Sequence, residues 1–353
     1  MATASRLSVC CSTALLAGCC GPAWPPGGVE RQAVAIDNPA AVRLVACCDA
    51  DGDGDEDVRM ELGTGARITT ALPCAAWWLD ASAGGLRWQL PLPLHRTAVR
   101  PATLELTVTP PPASAPLPGF VWIPPGPAVC GDVLGIGQEI ERPARVRSFP
   151  GFWLGHHEVT NAEFAVFLDA CGDAVDPQWL DLDSHQCRLR RAADGRWHSD
   201  APQLPVVTVA HAGALAYCAH RTAATGLVHR LPSEWEWEKA ARGPRSSTYA
   251  YGDVYRQAAA NQESGELRPV GSHAPNGFGL VDMTGNAFEW VADVHPAADG
   301  ANPAGAAPSH RVLRGGSFVL DGIYLRNSLR MKLRPGVRAD DVGFRVLLEP
   351  TPP

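Results

Sequence analysis

Charged side chains are scarce in this sequence. They make up 19% of the 353 residues, and the net charge is −7. No run or stripe of basic residues is present, so attraction to nucleic-acid phosphates is not favoured and no nucleic-acid partner is expected. The 35 glycines, 32 prolines and 11 tryptophans are typical of a loop-rich globular protein rather than of long helices or disorder. A chain of this length has room for two domains.

Long apolar runs are also missing. The apolar stretch at residues 7–16 is too short to span a bilayer as a helix, and it is typical of an export signal. Residues 16–19, Leu-Ala-Gly-Cys, resemble a bacterial lipobox, in which Cys19 accepts diacylglycerol. We therefore expect a signal peptide at 1–18, a tether at 19–29, and an exported lipoprotein anchored in the inner or outer membrane of the cell envelope. An ordinary cleaved signal with incidental cysteines is the alternative.

Cysteines at metal-binding or redox spacing are absent. The eight cysteines beyond the lipobox contain no CxxC pair, which leaves zinc-ribbon and thioredoxin-like sites without their spacing. An oxidising compartment favours disulfides instead. Two bridges are candidates: Cys171 with Cys187, and Cys74 with Cys47 or Cys48.

Residues 30–109 alternate apolar and polar positions in short runs between turn residues, which predicts a small β-sheet domain. Within it, residues 49–57 read DADGDGDED, and carboxylates this close repel each other unless a cation offsets them. The loop resembles the hairpin calcium loops of integrin-like propellers rather than an EF-hand, because Met60 stands where an EF-hand has its glutamate. A solvated acidic turn is the alternative. The expected calcium ligands are Asp49, Asp51, Asp53, Asp55 and Asp57.

A proline-rich stretch at 110–119 separates this domain from a region with clear helix signals. Three helices are predicted there. Two of them open with the pattern of a capping box, Thr160 with Glu163 and Ser233 with Glu236. Glycines are placed to end two of them, Gly226 and Gly243.

Eight sequence blocks follow the proline-rich stretch in a fixed order. They are FVWIPPG, EVTNAEF, PVVTV with ALAYC, HRLPSEWEWEKAARG, YGD, NGFGLVDMTGNAFEWVAD, RVLRGGSF and VGFRV. In this order they resemble the formylglycine-generating-enzyme, or sulfatase-modifying-factor, domain family, and eight ordered blocks are far more specific than one motif. The resemblance covers 120–348. It implies an α+β, C-type-lectin-like fold, preceded here by a small all-β domain and followed by a tail at 349–353.

The resemblance also implies structural calcium, which would hold long loops that have few helix or sheet hydrogen bonds. One matching loop lies within 282–289, and one residue of a second, shortened loop also matches. Capping or salt-bridge roles for the acidic residues are the alternative. The matching positions are Asp282, Gly285, Ala287 and Glu289 in the first loop and Asn261 in the second.

The oxidase members of the resembled family hold copper with two cysteines, because a thiolate pair is what Cu(I) requires. The matching positions here are Leu320 and Leu325, and leucine supplies no metal ligand. Copper is therefore not expected. A sister branch binds iron on an attached helical bundle, whereas the N-terminal part here is predicted to be β. His156, His157 and Glu158 are not expected to form an iron site, because consecutive strand residues point to alternate faces.

Two functions stay open. A non-catalytic, lipid-anchored protein would use the lectin-like loops to hold a protein, peptide or glycan ligand in the cell envelope. An enzyme of the same family with a divergent site is the alternative, since a fold alone does not determine function. No HExxH, GxSxG or Walker motif supports another chemistry. The polar groups nearest the replaced cysteines are Ser317, Asp321, Tyr324 and Arg326.

Overall fold

The computed structural model describes residues 8–9, 30–49, 56–73, 76–94, 98–99, 101–295 and 310–350. Within these ranges the N-terminal part forms strands where apolar and polar residues alternate. The strands are β1 (Ser8–Val9), β2 (Arg31–Asp37), β3 (Arg43–Asp49), β4 (Val58–Gly63), β5 (Arg67–Pro73), β6 (Ala76–Ala83), β7 (Leu86–Pro93) and β8 (Thr103–Thr107). They form two sheets, of strand order β1-β4-β3-β6-β7 and β5-β2-β8. Strand β1 lies in the segment expected to be the signal peptide.

The two sheets share one apolar core, and strand β6 illustrates how its sequence builds it. Trp77 and Leu79 are buried in that core together with residues of β2 and β8. The side chains between them point to the opposite face, as period-two alternation requires. On that outer face, Trp78 is also buried, and Asp80 is half-buried. The outer face of the five-stranded sheet is therefore covered in part.

Strands β3 and β4 pair antiparallel, and the acidic segment connects them in the sequence. The backbone N–H of Asp57 donates to the carbonyl of Cys48 at 2.9 Å, which joins the two strands next to the acidic segment. Asp49 and Asp57 are the two ends of this segment, and the three predicted ligands between them lie outside the described residues. The predicted calcium loop thus lies between two paired strands, and its metal stays a prediction.

The N-terminal domain lies against the C-terminal domain, and the irregular segment 108–119 connects them. Val99 exchanges backbone hydrogen bonds of 2.8 and 2.9 Å with residues 144–146. The guanidinium of Arg245 lies 4.5 Å from the ring centre of Trp78. These contacts turn the outer face of the five-stranded sheet toward the second domain.

The C-terminal domain contains three α-helices among its described residues, as the capping patterns predict. They are α1 (Asn161–Cys171), α2 (His211–Thr225) and α3 (Glu234–Arg242). Thr160 accepts from the N–H of Glu163 at 3.2 Å, and the Glu163 carboxylate accepts from the N–H of Thr160 at 2.8 Å. Ser233 and Glu236 form the same reciprocal pair on α3. None of the described helices is long and apolar enough to cross a membrane.

Short strands and 3₁₀ turns complete this domain. The strands are β9 (Phe120–Ile123), β10 (Gly126–Cys130), β11 (Arg145–Phe149), β12 (Phe152–Gly155), β13 (Leu189–Arg191), β14 (Trp197–Ser199), β15 (His229–Arg230), β16 (Phe288–Val294), β17 (Arg311–Arg314), β18 (Met331–Leu333), β19 (Val342–Phe344) and β20 (Leu347–Leu348). Two four-stranded sheets have the orders β15-β20-β12-β9 and β18-β17-β16-β19. Phe164 of α1 stacks on Tyr217 of α2, and Phe167 meets the same ring edge-on. Tyr217 also contacts Phe344 of β19, so these rings join the helices to a sheet.

The disulfide prediction is wrong for one pair. Cys171 and Cys187 are both free cysteines. Cys187 is buried in the main core, and half-buried Cys171 at the C-terminal end of α1 packs against the same core, yet the two thiols are not bonded to each other. Cys47 and Cys48 are free as well, and their candidate partner Cys74 lies outside the described residues.

Candidate functional site

The segment after strand β17 begins with two glycines in left-handed backbone. Gly315 and Gly316 have φ of +94° and +76°. This backbone conformation is less favourable in energy for residues with a side chain than for glycine. A Cβ at Gly316 would also meet the Cδ2 methyl of Leu325 and the carbonyl oxygen of Tyr324. Glycine is needed there because the 3₁₀ turn Gly322–Leu325 folds back onto the glycine pair.

Both leucines at the expected copper positions are packed into the protein. Leu325 is fully buried, and its methyl group lies over Gly316. Leu320 is half-buried against the main core of the domain. Its backbone N–H donates to the carbonyl of Ser317 at 3.1 Å and so forms a turn. Apolar packing therefore occupies the positions at which a metal would need thiolates.

Two of the polar residues beside the leucines are used in structural bonds. Ser317 is buried, and its hydroxyl donates to the Asp341 carboxylate at 2.8 Å. Burial raises the pKa of Asp341. Arg326 is also buried, and its guanidinium forms an ion pair of 3.0 Å with Glu141. Neither side chain is left to act on a ligand.

The other two polar residues face solvent. Asp321 is exposed, and Tyr324 is 44% exposed. Val319 and Ile323 beside them are also exposed. The ring of Tyr255 lies so close to the start of the 3₁₀ turn that a Cβ on its first residue would overlap it. The surface above the buried leucines is therefore mainly apolar and aromatic.

The predicted calcium ligand Glu289 is engaged by other side chains in this structure. Its Oε1 lies 2.7 Å from Nη2 of Arg345, and its Oε2 accepts from the indole N–H of Trp237 at 2.7 Å. All three residues are fully buried. This arrangement matches the salt-bridge role that the sequence left open for Glu289.

More negative charge lies around the same arginine. Burial opposes the ionisation of Arg345, but Glu289, Glu158 and Asp282 together raise its pKa. Burial raises the pKa of Glu158, and the charge of Asp282 raises it further. Oε2 of Glu158 and Oδ1 of Asn261 are buried without a hydrogen-bond donor among the described residues. Hard oxygens of this kind are the ligands that calcium prefers.

The two predicted calcium loops meet in the structure. Residues Asn261 and Gly285 form a parallel β-bridge, and a Cβ at Gly285 would overlap the carbonyl of Asn261. Asp282 has φ of +55°, and its carboxylate accepts from the N–H of Gly271 at 2.6 Å. Ala287, two residues after Gly285, is also fully buried. The donor set fits calcium except at Glu289, whose oxygens are taken by neighbouring donors.

A three-residue cluster with metal-ligand chemistry lies elsewhere, away from the histidine pair at 156–157. Within the described part of the chain, Cys47, Glu56 and Asp80 are the His, Cys, Asp or Glu trio whose ligand atoms come within reach of one another. Nη1 of Arg59 contacts all three, at 3.9, 3.1 and 3.5 Å respectively. A guanidinium already supplies the positive charge that a metal would bring.

The sequence did not predict a buried ionic network that joins α3 to strand β17, which leads into the site. The carboxylate of Glu238 on α3 accepts from Arg242 at 2.7 Å, from Arg314 at 2.5 Å and from the N–H of Gly131 at 2.7 Å. Burial alone would raise the pKa of Glu238, but the two arginines hold it below its usual range. The one sequence signal was a glutamate on the buried face of an amphipathic helix. Its partner Arg314 is 76 residues away in the sequence.

Comparison with known proteins now decides the family. The model of the sulfatase-modifying factor enzyme 1-like domain matches residues 106–350. The chain belongs to this family. It is 30% identical to the formylglycine-generating enzyme of Streptomyces coelicolor over 288 residues, which covers 64% of this chain and 88% of that enzyme. It is also 30% identical to the inactive C-alpha-formylglycine-generating enzyme 2 of Mus musculus, covering 65% of this chain and 85% of that protein.

Another relative of this sulfatase-modifying-factor chain is much longer. The serine/threonine-protein kinase Pkn1 of Chlamydia trachomatis is 34% identical over 232 residues, which is 60% of this chain. The chain spans about a third of the length of that kinase, since the match covers 35% of it.

Solved structures agree with the predicted α+β fold of this family. PvdO from Pseudomonas aeruginosa superposes with a TM-score of 0.53 at 30% identity, covering 65% of this chain and 94% of that one. CarF superposes with a TM-score of 0.50 at 21% identity, covering 66% of this chain and 98% of that one, and this likeness concerns the fold alone.

Proposed function

We propose that this sulfatase-modifying-factor protein is a non-catalytic binding protein of the bacterial cell envelope. The observation that carries the proposal is the packing of half-buried Leu320 and fully buried Leu325 at the positions that match the family's copper-binding cysteines. Copper chemistry of this kind needs a soft thiolate pair. Leucine removes the metal ligands and the redox centre together.

The geometry around the leucines supports binding over an alternative catalysis. Ser317 and Arg326 are used in buried structural bonds, and Asp321 and Tyr324 project to solvent without a shared partner. A catalytic set needs groups that converge on one reacting atom. The exposed apolar and aromatic surface at 319–324 instead suits contact with a protein, peptide or glycan. A relative that carries the name of an inactive enzyme is consistent with a family fold that persists without the activity.

Calcium is the cofactor we assign to this protein, in a structural role. The support is the group of buried carboxylates around Arg345 and the unpartnered oxygens of Glu158 and Asn261. A cation at the junction of the two loops would offset this negative charge, as hard oxygen ligands require. Asp282 and the backbone oxygens of Gly285 and Ala287 would then hold it, while Glu289 stays paired with the arginine.

Lipid attachment at Cys19 would place both domains at a membrane surface within the envelope. Cys19 lies outside the described residues, so its lipobox sequence is the support for this part of the proposal. The anchor would raise the local concentration of the binding surface near envelope partners.

The deciding experiment incubates the purified protein with a sulfatase-type cysteine peptide, oxygen and Cu(I), and follows the peptide mass. We expect no conversion of the cysteine to formylglycine, because no described residue near the leucines supplies a thiolate. Copper-dependent turnover by the unmodified protein would overturn the proposal and favour the enzyme alternative.

A double variant, Leu320→Cys/Leu325→Cys, tests whether the positions are correctly matched. If the match is right, this variant should bind Cu(I) in a titration with a competing chelator, whereas the parent protein should not. A matched pair of cysteines at the exposed positions Val319 and Ile323 serves as the control. Equal copper binding by the parent and the first variant would contradict the assignment of these positions.

A further inference from the structure

A groove runs between the outer face of the five-stranded sheet and the C-terminal domain. It consists of two adjoining cavities of about 590 and 340 Å³. Both are lined by Gln89 on the sheet and by Gly277 on the second domain, so they lie side by side. A space of this size suits a ligand of several linked rings rather than a single ion. The groove is distinct from the segment that carries the two leucines.

The sheet wall of this groove is cationic at one end. Arg43 of β3 is paired in register with Ser82 of β6, and Ser82 is paired with Arg87 of β7. Residues paired across strands share one face, so the two arginines flank the serine. Neighbouring strands are about 4.8 Å apart, which separates the two arginine backbones by roughly 10 Å. Both arginines line this end of the groove.

The charges on this wall are not all balanced by the protein. Arg43 pairs with Glu61 at 2.5 Å, and Arg59 pairs with Glu56 and Asp80. Arg87 is exposed, and no described carboxylate forms an ion pair with it. The wall therefore keeps one cation without a counter-charge, and this favours an anionic ligand.

The middle of the same wall offers fixed polar groups. The side-chain amide of Gln89 donates to the Asp80 carboxylate at 2.8 Å, and the indole N–H of Trp78 donates to the same carboxylate at 3.2 Å. Asp80 is thus held in place, and Gln89 keeps its carbonyl oxygen for a further donor. Planar side chains with both donors and acceptors suit hydroxyl groups.

The opposite wall is aromatic and rigid. Trp122 of β9 packs on Trp153 with ring centres 5.1 Å apart, and it lies so close to Gly151 that any Cβ there would overlap its ring. Phe278 lies on a turn whose backbone is held by the buried side chain of Asn276. Both rings line the groove and need little ordering to bind a flat apolar surface.

We infer that this groove binds an oligosaccharide that carries carboxylates. The C–H faces of sugar rings would pack on Trp122 and Phe278, hydroxyls would bond to Asp80 and Gln89, and a carboxylate would bond to Arg87. Guanidinium groups bind carboxylates through two parallel hydrogen bonds, which makes the anionic end specific. The inference goes beyond the proposed function, because it assigns a second binding surface that is separate from residues 319–324. It does not depend on the copper assay, whose outcome concerns a different part of the domain.

The test uses the full chain and isothermal titration with a hexamer of galacturonic acid at fixed calcium concentration. The fully methyl-esterified hexamer is the neutral control, and hexaglutamate tests whether an acidic peptide is the true ligand. We expect saturable binding of the acid hexamer, which weakens as salt rises because the arginines are exposed. The ester and the peptide should bind at least tenfold more weakly.

Four variants locate the binding. Arg87→Gln should weaken binding of the acid hexamer about tenfold, since a charge-assisted hydrogen bond is lost. Trp122→Ala should weaken it similarly. Trp122→Phe keeps an aromatic ring and should retain most of the affinity, so it is the control for misfolding caused by the alanine substitution. Arg196→Gln, at an exposed arginine 72% accessible and outside the groove, should leave binding unchanged.

Four results would overturn the inference. They are no saturable binding of the acid hexamer, equal affinity for the ester, tighter binding of hexaglutamate than of the sugar, and equal affinities of the Arg87→Gln and Arg196→Gln variants. Each is distinct from copper-dependent turnover, which would overturn the proposed non-catalytic role and leave the groove untouched.

Discussion

The most sharply defined stability effect in this protein concerns Lys239 on α3. It is one of two lysines in the chain, and it is fully buried. Its ammonium donates to the carbonyls of Pro124 and Gly126 at 2.6 and 3.1 Å and lies 5.2 Å from the ring centre of Phe149. No described carboxylate pairs with it. Burial therefore lowers the pKa of Lys239 from 10.5 to about 7.

This pKa makes folding depend on pH in a defined window. Between pH 7 and 10.5 the unfolded chain holds a proton on Lys239 that the folded chain releases, so the free energy of unfolding rises with pH. From pH 7 to pH 9 the gain is about 2 kcal/mol for one group with these two pKa values. Below pH 7 both states are protonated, and the cost of burying the charge is constant. The Lys239→Met variant lacks this titration.

The assay is urea unfolding followed by tryptophan fluorescence at pH 7, 8 and 9. The wild-type free energy of unfolding should rise relative to that of Lys239→Met by about 2 kcal/mol across this range. Taking the difference cancels other titrating groups that both proteins share. Lys332→Met, at the exposed second lysine, should follow the wild type. Parallel pH profiles for wild type and Lys239→Met would refute the reasoning.

Three further outcomes are expected. Glu238→Gln should lower the free energy of unfolding by about 3–5 kcal/mol in urea titrations, because two buried arginines lose their shared counter-charge; exposed Glu139→Gln should change it little. Cys19→Ala should move the protein from the membrane to the soluble fraction, and intact mass should show a lipid on wild type alone. Chelation should lower both melting transitions in calorimetry, since calcium at 100 times its Kd adds about 2.7 kcal/mol, and Asp53→Ala should abolish this response in the N-terminal domain. Identical melting with and without chelator would contradict both calcium sites.

Features that depend on residues close together in the chain were predictable from the sequence. Helices α1 and α3 begin at the predicted capping boxes, because Thr160 and Ser233 and their glutamate partners lie within one turn of each other. The alternation in the N-terminal domain predicted its strands for the same reason. The eight blocks of the family predicted the fold of the second domain. In each case the deciding interaction is local or is specified by an ordered pattern.

Interactions between distant residues were not predictable in this way. Glu141 binds Arg326 across 185 positions, and nothing in either neighbourhood marks the pair. Cys171 and Cys187 suggested a bridge because they are near in sequence, yet both are free cysteines that pack against one core. The groove is the extreme case, since its walls come from different domains. Only their packing brings Arg87 opposite Trp122.

This origin of the groove also explains why family membership does not assign its ligand. The family match begins at residue 106, so it includes the aromatic wall of Trp122 and Phe278 and excludes the arginine wall on the sheet. A ligand that needs both walls is recognised by this combination of domains and not by the family domain alone. Under the proposed function, Leu320 and Leu325 leave the family's copper chemistry without its thiolates, and the added sheet supplies charge at another place. Specificity in this protein should therefore follow the N-terminal domain, while the sulfatase-modifying-factor domain provides the rigid surface against which that domain acts.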